Sequence, residues 1–229
     1  MASFKTHISF GIALGVAAVM ATAVFSLAPT HDVSLYAFVA LAAIVGAILP
    51  DMDSDTGLPV TVTFGSLTLV SGEVSLLYAL KHLPHDSWQC YAVPVISMLI
   101  AWFVVGGLFK KFTVHRGMAH SIPAALVAGL VTFFATTHAG HADWDAFLMS
   151  LAMTAGYLLH LILDEINSAV NFHGTPFVPN AALGSALKLT SKSTGANIVV
   201  YGALLVTIFL NFEKFFALFA ELAKATASH

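Results

Sequence analysis

Seven times between residues 8 and 219 the sequence returns to an apolar run, each close to the roughly 20 residues that a helix needs to cross a bilayer. The runs lie at roughly 8–28, 33–50, 60–80, 91–109, 119–137, 146–164 and 198–219. Inside a bilayer there is no water to pair with backbone N–H and C=O groups, so such runs must satisfy their own hydrogen bonds as helices. The chain therefore reads as all-α, a polytopic transmembrane helical bundle of about six to seven spans, in a single integral membrane domain covering 1–229. The third run carries Glu73 with Thr61, Thr63, Ser66, Thr68, Ser71 and Ser75, the pattern of a broken or re-entrant segment held among other helices. The first run, preceded by Lys5, is long enough to be a retained helix rather than a cleavable signal.

Composition narrows the function. Hydrophobic residues make up 58% of the chain and charged residues 9%, against about 25% charged in an ordinary soluble domain. With 9 Lys and Arg against 12 Asp and Glu, the net charge of −3 provides no basic face for nucleic acid. The single Cys90 excludes an intrachain disulfide and leaves histidine and aspartate as the metal-ligand types. The oligomeric state is not legible.

If all seven runs cross, Lys5, Lys110, Lys111, Arg116, Lys188 and Lys192 share one side, and Lys81, Lys214 and Lys224 the other. The positive-inside rule then places the N-terminus in the cytoplasm. On that map residues 1–7, "PDMDSDTG" at 50–57, "KKFTVHRGMAHS" at 110–121 and the stretch after His160 all meet at the cytoplasmic rim. The long connection at 165–197, with "NFHGTPFVPN" as its Gly/Pro-marked loop, is expected to cap or line that rim.

The rim carries chemistry-bearing residues at suggestive spacings. His160 and Asp164 are four apart, so they stack on one helix face, and an ionisable pair near the end of an apolar span needs partners. They read either as a hydrogen-bonded pair locking two helices or as metal ligands. Asp51 and Asp53 after Pro50 read either as a solvated helix terminus or as oxygen ligands for a divalent cation. In "HRGMAHS", Gly117 and the following "SIP" predict a turn and then a helix, with Ser121 as N-cap and Pro123 in the first turn. The turn would set His115, Arg116 and His120 over a helix N-terminus, whose free N–H groups favour an anion. Arg116 reads as a fork for phosphate or carboxylate, or as an interfacial anchor. With His7 before the first run, the inventory is His7, Asp51, Asp53, His115, His120, His160 and Asp164, enough for one or two divalent ions. Mixed imidazole and carboxylate donors lean toward zinc or manganese.

Three functions follow from these residues. In a metal-dependent hydrolase the ions activate water, Arg116 and the helix N-terminus stabilise developing negative charge, and Asp164 or Glu165 accepts the proton. A rim-level site favours a lipid or lipid-linked phosphorylated substrate. The alternative is a proton- or cation-coupled transporter using Glu73 and the His/Asp cluster, although transporter sites tend toward the bilayer midplane between repeated halves and no repeat is visible. The third is a structural membrane protein with paired polar residues.

The set "TH…G" near the N-terminus, "LPDMD", "HRGMAHS" and "GYLLHLILDEIN" followed by "HGTPFVP" resembles the YdjM family, described as LexA-regulated, inner-membrane, metal-dependent hydrolases. The likeness runs from His7 to about Pro179, and its most specific part is "HRGMAHS" combined with "HLILD". It implies a bacterial inner-membrane hydrolase with phospholipase-like or phosphoesterase activity. Carried over residue by residue, the implied metal ligands are His7, Asp51, Asp53, His115, His120, His160 and Asp164.

Overall fold

A computed structural model describes residues 3–27, 33–53, 65, 68, 71–73, 75, 76, 78–105, 118–169 and 187–227. In chain order the helices are α1 (Phe4–Val24), α2 (Val33–Ile48), α3 (Gln89–Leu99), α4 (Ile122–His138), α5 (Asp143–Ala169) and α6 (Thr194–Ala227). A 3-10 turn, Leu49–Asp53, continues α2, and a π-helical turn, Ile100–Val105, continues α3. The described residues are helical throughout, apart from turns and one isolated bridge between Ser121 and Lys188.

Among the described residues, four helical stretches are long and apolar enough to cross a membrane: Phe4–Val24, Val33–Asp51, Asp143–Asn167 and Thr194–Glu221. Gln89–Phe103 and Ile122–His138 are shorter apolar helices. The all-helical membrane class expected from the sequence is thus what forms; the described residues hold four candidate spans and two shorter apolar helices where six to seven spans were expected. Part of the 60–80 run lies outside the described residues; those described within it are helical.

Helix ends are set by capping residues rather than by where the apolar runs begin. Ser3 caps α1, its hydroxyl accepting from the Thr6 N–H at 3.2 Å. The helix therefore starts at Phe4, ahead of the apolar run at 8, and takes Lys5, Thr6 and His7 into its first turns. At α4 the expected cap forms: the Ser121 hydroxyl accepts from the Ala124 N–H and Pro123 sits in the first turn.

The chain divides into two compact units, one of Met1–Pro50 with Arg116–His229 and one of Asp51–His115. In the first, α5 is the central element, packed by α2 and by α4, with α1 against α2 and α6 against α4. Lipid offers no hydrophobic drive for helices to pair, so tight association depends on small residues that let backbones touch. That is how α2 meets α5. A Cβ at Gly46 would lie 2.2 Å from the Met153 carbonyl oxygen, and one at Gly156 would lie 2.1 Å from that of Ala43. Val39, Ala43, Leu148 and Met149 fill the rest of that seam. Where α1 meets α2, Gly11 stands against Ala47.

The unit has two distinct ends. At one lie the start of α1, the last residues of α2, the Ser121 cap of α4 and the C-terminal part of α5. At the other, the Trp144 indole N–H donates to the Leu27 carbonyl and Lys214 pairs with Asp143 at 2.9 Å. From Thr194 to Lys214, α6 rises about 30 Å, the thickness of the hydrocarbon core. Lys5 and Lys188 belong to the first end and Lys214 to the second.

In the second unit, α3 contains Pro94, which lacks an N–H and interrupts the helix's own bonding. The Ser97 hydroxyl donates to the Ser71 carbonyl at 3.0 Å, tying α3 to the helical residues at 71–73. Cys90 is buried and free. Glu73 is exposed within this unit.

Candidate metal centre

The cluster is built on α5. His160 and Asp164 project one turn apart from the same face, and both are buried. The α2–α5 backbone contact brings the Ala47 carbonyl to 2.8 Å from His160 Nδ1. A carbonyl oxygen can only accept, so Nδ1 carries the proton and Nε2 of the neutral ring presents its lone pair. Nε2 lies 3.8 Å from Asp164 Oδ2.

Two more imidazoles close on the same carboxylate. From the first turns of α1, His7 stacks on His160 with ring centroids 3.7 Å apart and planes 14° from parallel. Its Nε2 is 3.3 Å from Asp164 Oδ1. His120, from the turn before α4, meets His160 edge to face at 5.6 Å and brings Nε2 to 3.8 Å from Asp164 Oδ2. None of the four side chains exceeds 3% exposure, so three imidazoles and a carboxylate are enclosed together. Such a set is costly to bury without a charge or bond to compensate it. Neither ring nitrogen of His7 has a hydrogen-bond partner among the described residues.

The donor types are those that could hold a divalent cation. The ligand atoms of His120, His160 and Asp164 all lie within 4.8 Å of one another. Two ligands on a common tetrahedral zinc, each bonded at about 2.0–2.1 Å, stand about 3.3 Å apart. The observed separations of 3.3 and 3.8 Å approach that spacing and lack hydrogen-bond geometry at His7.

The remaining expected residues are described only in part. His115 and Arg116 lie outside the described residues. Asp51 and Asp53 fall in the 3-10 turn, within the second unit; Asp51 is partly buried there, and for Asp53 only the backbone is described. Glu165 is half-buried and lies about 100° around α5 from Asp164, off the face that carries the cluster.

One expectation is overturned. The start of α4 was expected to offer free N–H groups to an anion. Instead the Ile122 N–H donates to the Lys188 carbonyl at 3.1 Å, Pro123 has no N–H, and the Ala124 N–H is taken by Ser121. These groups are satisfied within the fold, because the chain returning at 187–190 pairs with the cap, so they are not open to an anion. That same return bears out part of another expectation: the described end of the 165–197 connection does line this rim.

Two supports of the cluster escaped sequence reasoning. One is the Ala47 carbonyl, which carries no sequence signal at all. The other is Tyr157, buried on α5, whose hydroxyl donates to the Ala119 carbonyl. Its spacing of three and seven residues before His160 and Asp164 puts it on their face, and that periodicity was the available signal.

No match is found among curated proteins or among solved structures. A family model described as YdjM inner membrane protein matches residues 1–225, and the chain belongs to that family.

Proposed function

We propose that this chain is a membrane-bound, metal-dependent hydrolase cleaving a phosphoester or lipid ester, phospholipase-like, at the cytoplasmic rim. The observation that supports it most is the enclosure of three imidazoles about the Asp164 carboxylate at one end of a helix bundle. His7, His120, His160 and Asp164 are the ligands, and zinc or manganese suits their donor types. In this reading one or two ions are bound. A divalent ion there supplies Lewis acidity and makes water a nucleophile near neutral pH.

The chain's own residues have separate tasks. His160 is held in one tautomer by Ala47, and Asp164 balances the positive charge gathered by the histidines. The close packing of α1, α2, α4 and α5 keeps bulk water away. In this reading Asp164, the carboxylate on the face that carries the cluster, would take the proton, and Arg116 would meet the anionic group of the substrate. A site at the bundle's end meets a lipid headgroup without lifting the lipid from the bilayer. Lys5, Lys188 and Lys192 support a cytoplasmic position for that end by the positive-inside rule. No observation among the described residues favours the transporter reading.

The test is elemental mass spectrometry on detergent-purified protein, wild type beside His120→Ala, His160→Ala and Asp164→Asn. Near-stoichiometric zinc or manganese in wild type and its loss in the variants supports the reading and leads to assays on phosphoesters and phospholipids. Wild type that takes up neither metal, even after supplementation, overturns it.

A further inference from the structure

His120 differs from the other three members of the cluster because it is not on a helix. His7 belongs to α1, and His160 and Asp164 to α5, so regular backbone bonding fixes their Cα positions. His120 stands in the turn at 118–120, where only specific contacts can fix it. Three such contacts are present. The Ser121 hydroxyl donates to the Met118 carbonyl at 2.5 Å, and the Ile122 N–H donates to the Lys188 carbonyl. The third comes from α5, where the Tyr157 hydroxyl donates to the Ala119 carbonyl, which belongs to the same peptide unit as the His120 nitrogen.

We infer that Tyr157 is a positioning residue that locks the His120 imidazole in register with His160 and Asp164, an inference that rests on the metal-centre reading above. Tyr157, His160 and Asp164 share one face of α5. One rigid helix thus presents two ligands directly and fixes a third through a single hydrogen bond. The tyrosine ring is buried with Ala125 and Leu161, between α4 and α5, so its hydroxyl has little freedom to follow a displaced turn. Such outer supports of metal ligands typically govern 10–100-fold in metal affinity.

The experiment compares Tyr157→Phe with wild type, full length in detergent, by titrating the metal-free protein with Zn²⁺ and with Co²⁺ as a spectroscopic probe. Phenylalanine keeps the ring packing and removes only the donor. Asn211→Leu is the control: it deletes an equally buried bond between α6 and α4, from Asn211 Nδ2 to the Leu130 carbonyl at 3.1 Å, on residues outside the cluster. The expected result is affinity weakened about 10–100-fold and an altered Co²⁺ absorption band in Tyr157→Phe. Asn211→Leu is expected to lose thermal stability yet keep the wild-type spectrum. Wild-type affinity and spectrum in Tyr157→Phe overturn the inference while leaving the metal centre intact. Equal loss in both variants also overturns it, because the effect is then one of general stability. Wild type that binds neither ion overturns the metal-centre reading and this inference with it.

Discussion

Gly156→Ala tests whether the α2–α5 backbone contact builds the cluster. The new Cβ would lie 2.1 Å from the Ala43 carbonyl oxygen and 3.0 Å from the Ala47 nitrogen, whereas ordinary contact begins at 3.4 Å. Relieving the first contact requires the two backbones to part by about 1.3 Å, and close-packed helices have no slack to absorb that in side chains. The change falls one turn from His160, whose Nδ1 is 2.8 Å from the Ala47 carbonyl. A parting of that size takes the pair to about 4 Å, outside hydrogen-bond range, and removes what fixes the tautomer. Overpacking costs about 1–3 kcal/mol, offset by about 1 kcal/mol of helix propensity gained on replacing glycine with alanine. Net destabilisation is therefore small, while metal affinity is expected to fall about 10–100-fold. The assay is Zn²⁺ titration against a chelating dye in detergent, alongside a thermal melt of the metal-free protein. Gly202→Ala, where a Cβ meets nothing within 4 Å, is the control. Undiminished affinity in Gly156→Ala, or equal loss in the control, would refute the reasoning.

Other perturbations separate the cluster from its scaffold. Asp164→Asn keeps the shape but removes the charge that three imidazoles face; bound metal is expected to drop to background by elemental analysis. Chelation of wild type should lower the melting temperature, because a ligand present at about 100 times its Kd contributes about 2.7 kcal/mol to the folded state; an unchanged melt would argue against a resident ion. Ser121→Ala deletes both the α4 cap and the bond to Met118, so a loss of about 1 kcal/mol is expected on melting. Lys214→Ala breaks an ion pair whose partners are 39% and 37% exposed, and a change below about 1 kcal/mol with unaltered metal content is expected.

How much of this was legible in the sequence depended on how far apart the determining residues lie. Helical structure follows from apolar runs that lipid forces to bond internally, and the Ser121 cap with Pro123 follows from local chain chemistry; both appear where expected. The spacing of His160 and Asp164 was likewise enough to put them on one face. Hydropathy did not locate the start of α1, because Ser3 extends that helix through three polar residues and so buries His7.

Only the tertiary structure decided which of the rim's histidines share a carboxylate. His7, His120 and His160 meet at Asp164 because glycines let α2 and α5 touch and because Tyr157 and the returning segment at Lys188 pin a turn. The same segment closes the α4 N-terminus that the sequence seemed to leave open to an anion. Periodicity and capping act over a few residues, so the sequence alone determined the helical class, the α4 cap and the shared face of His160 and Asp164. The His160–Ala47 contact joins positions 113 residues apart, and no local pattern encodes a hydrogen bond between a side chain and a distant backbone carbonyl.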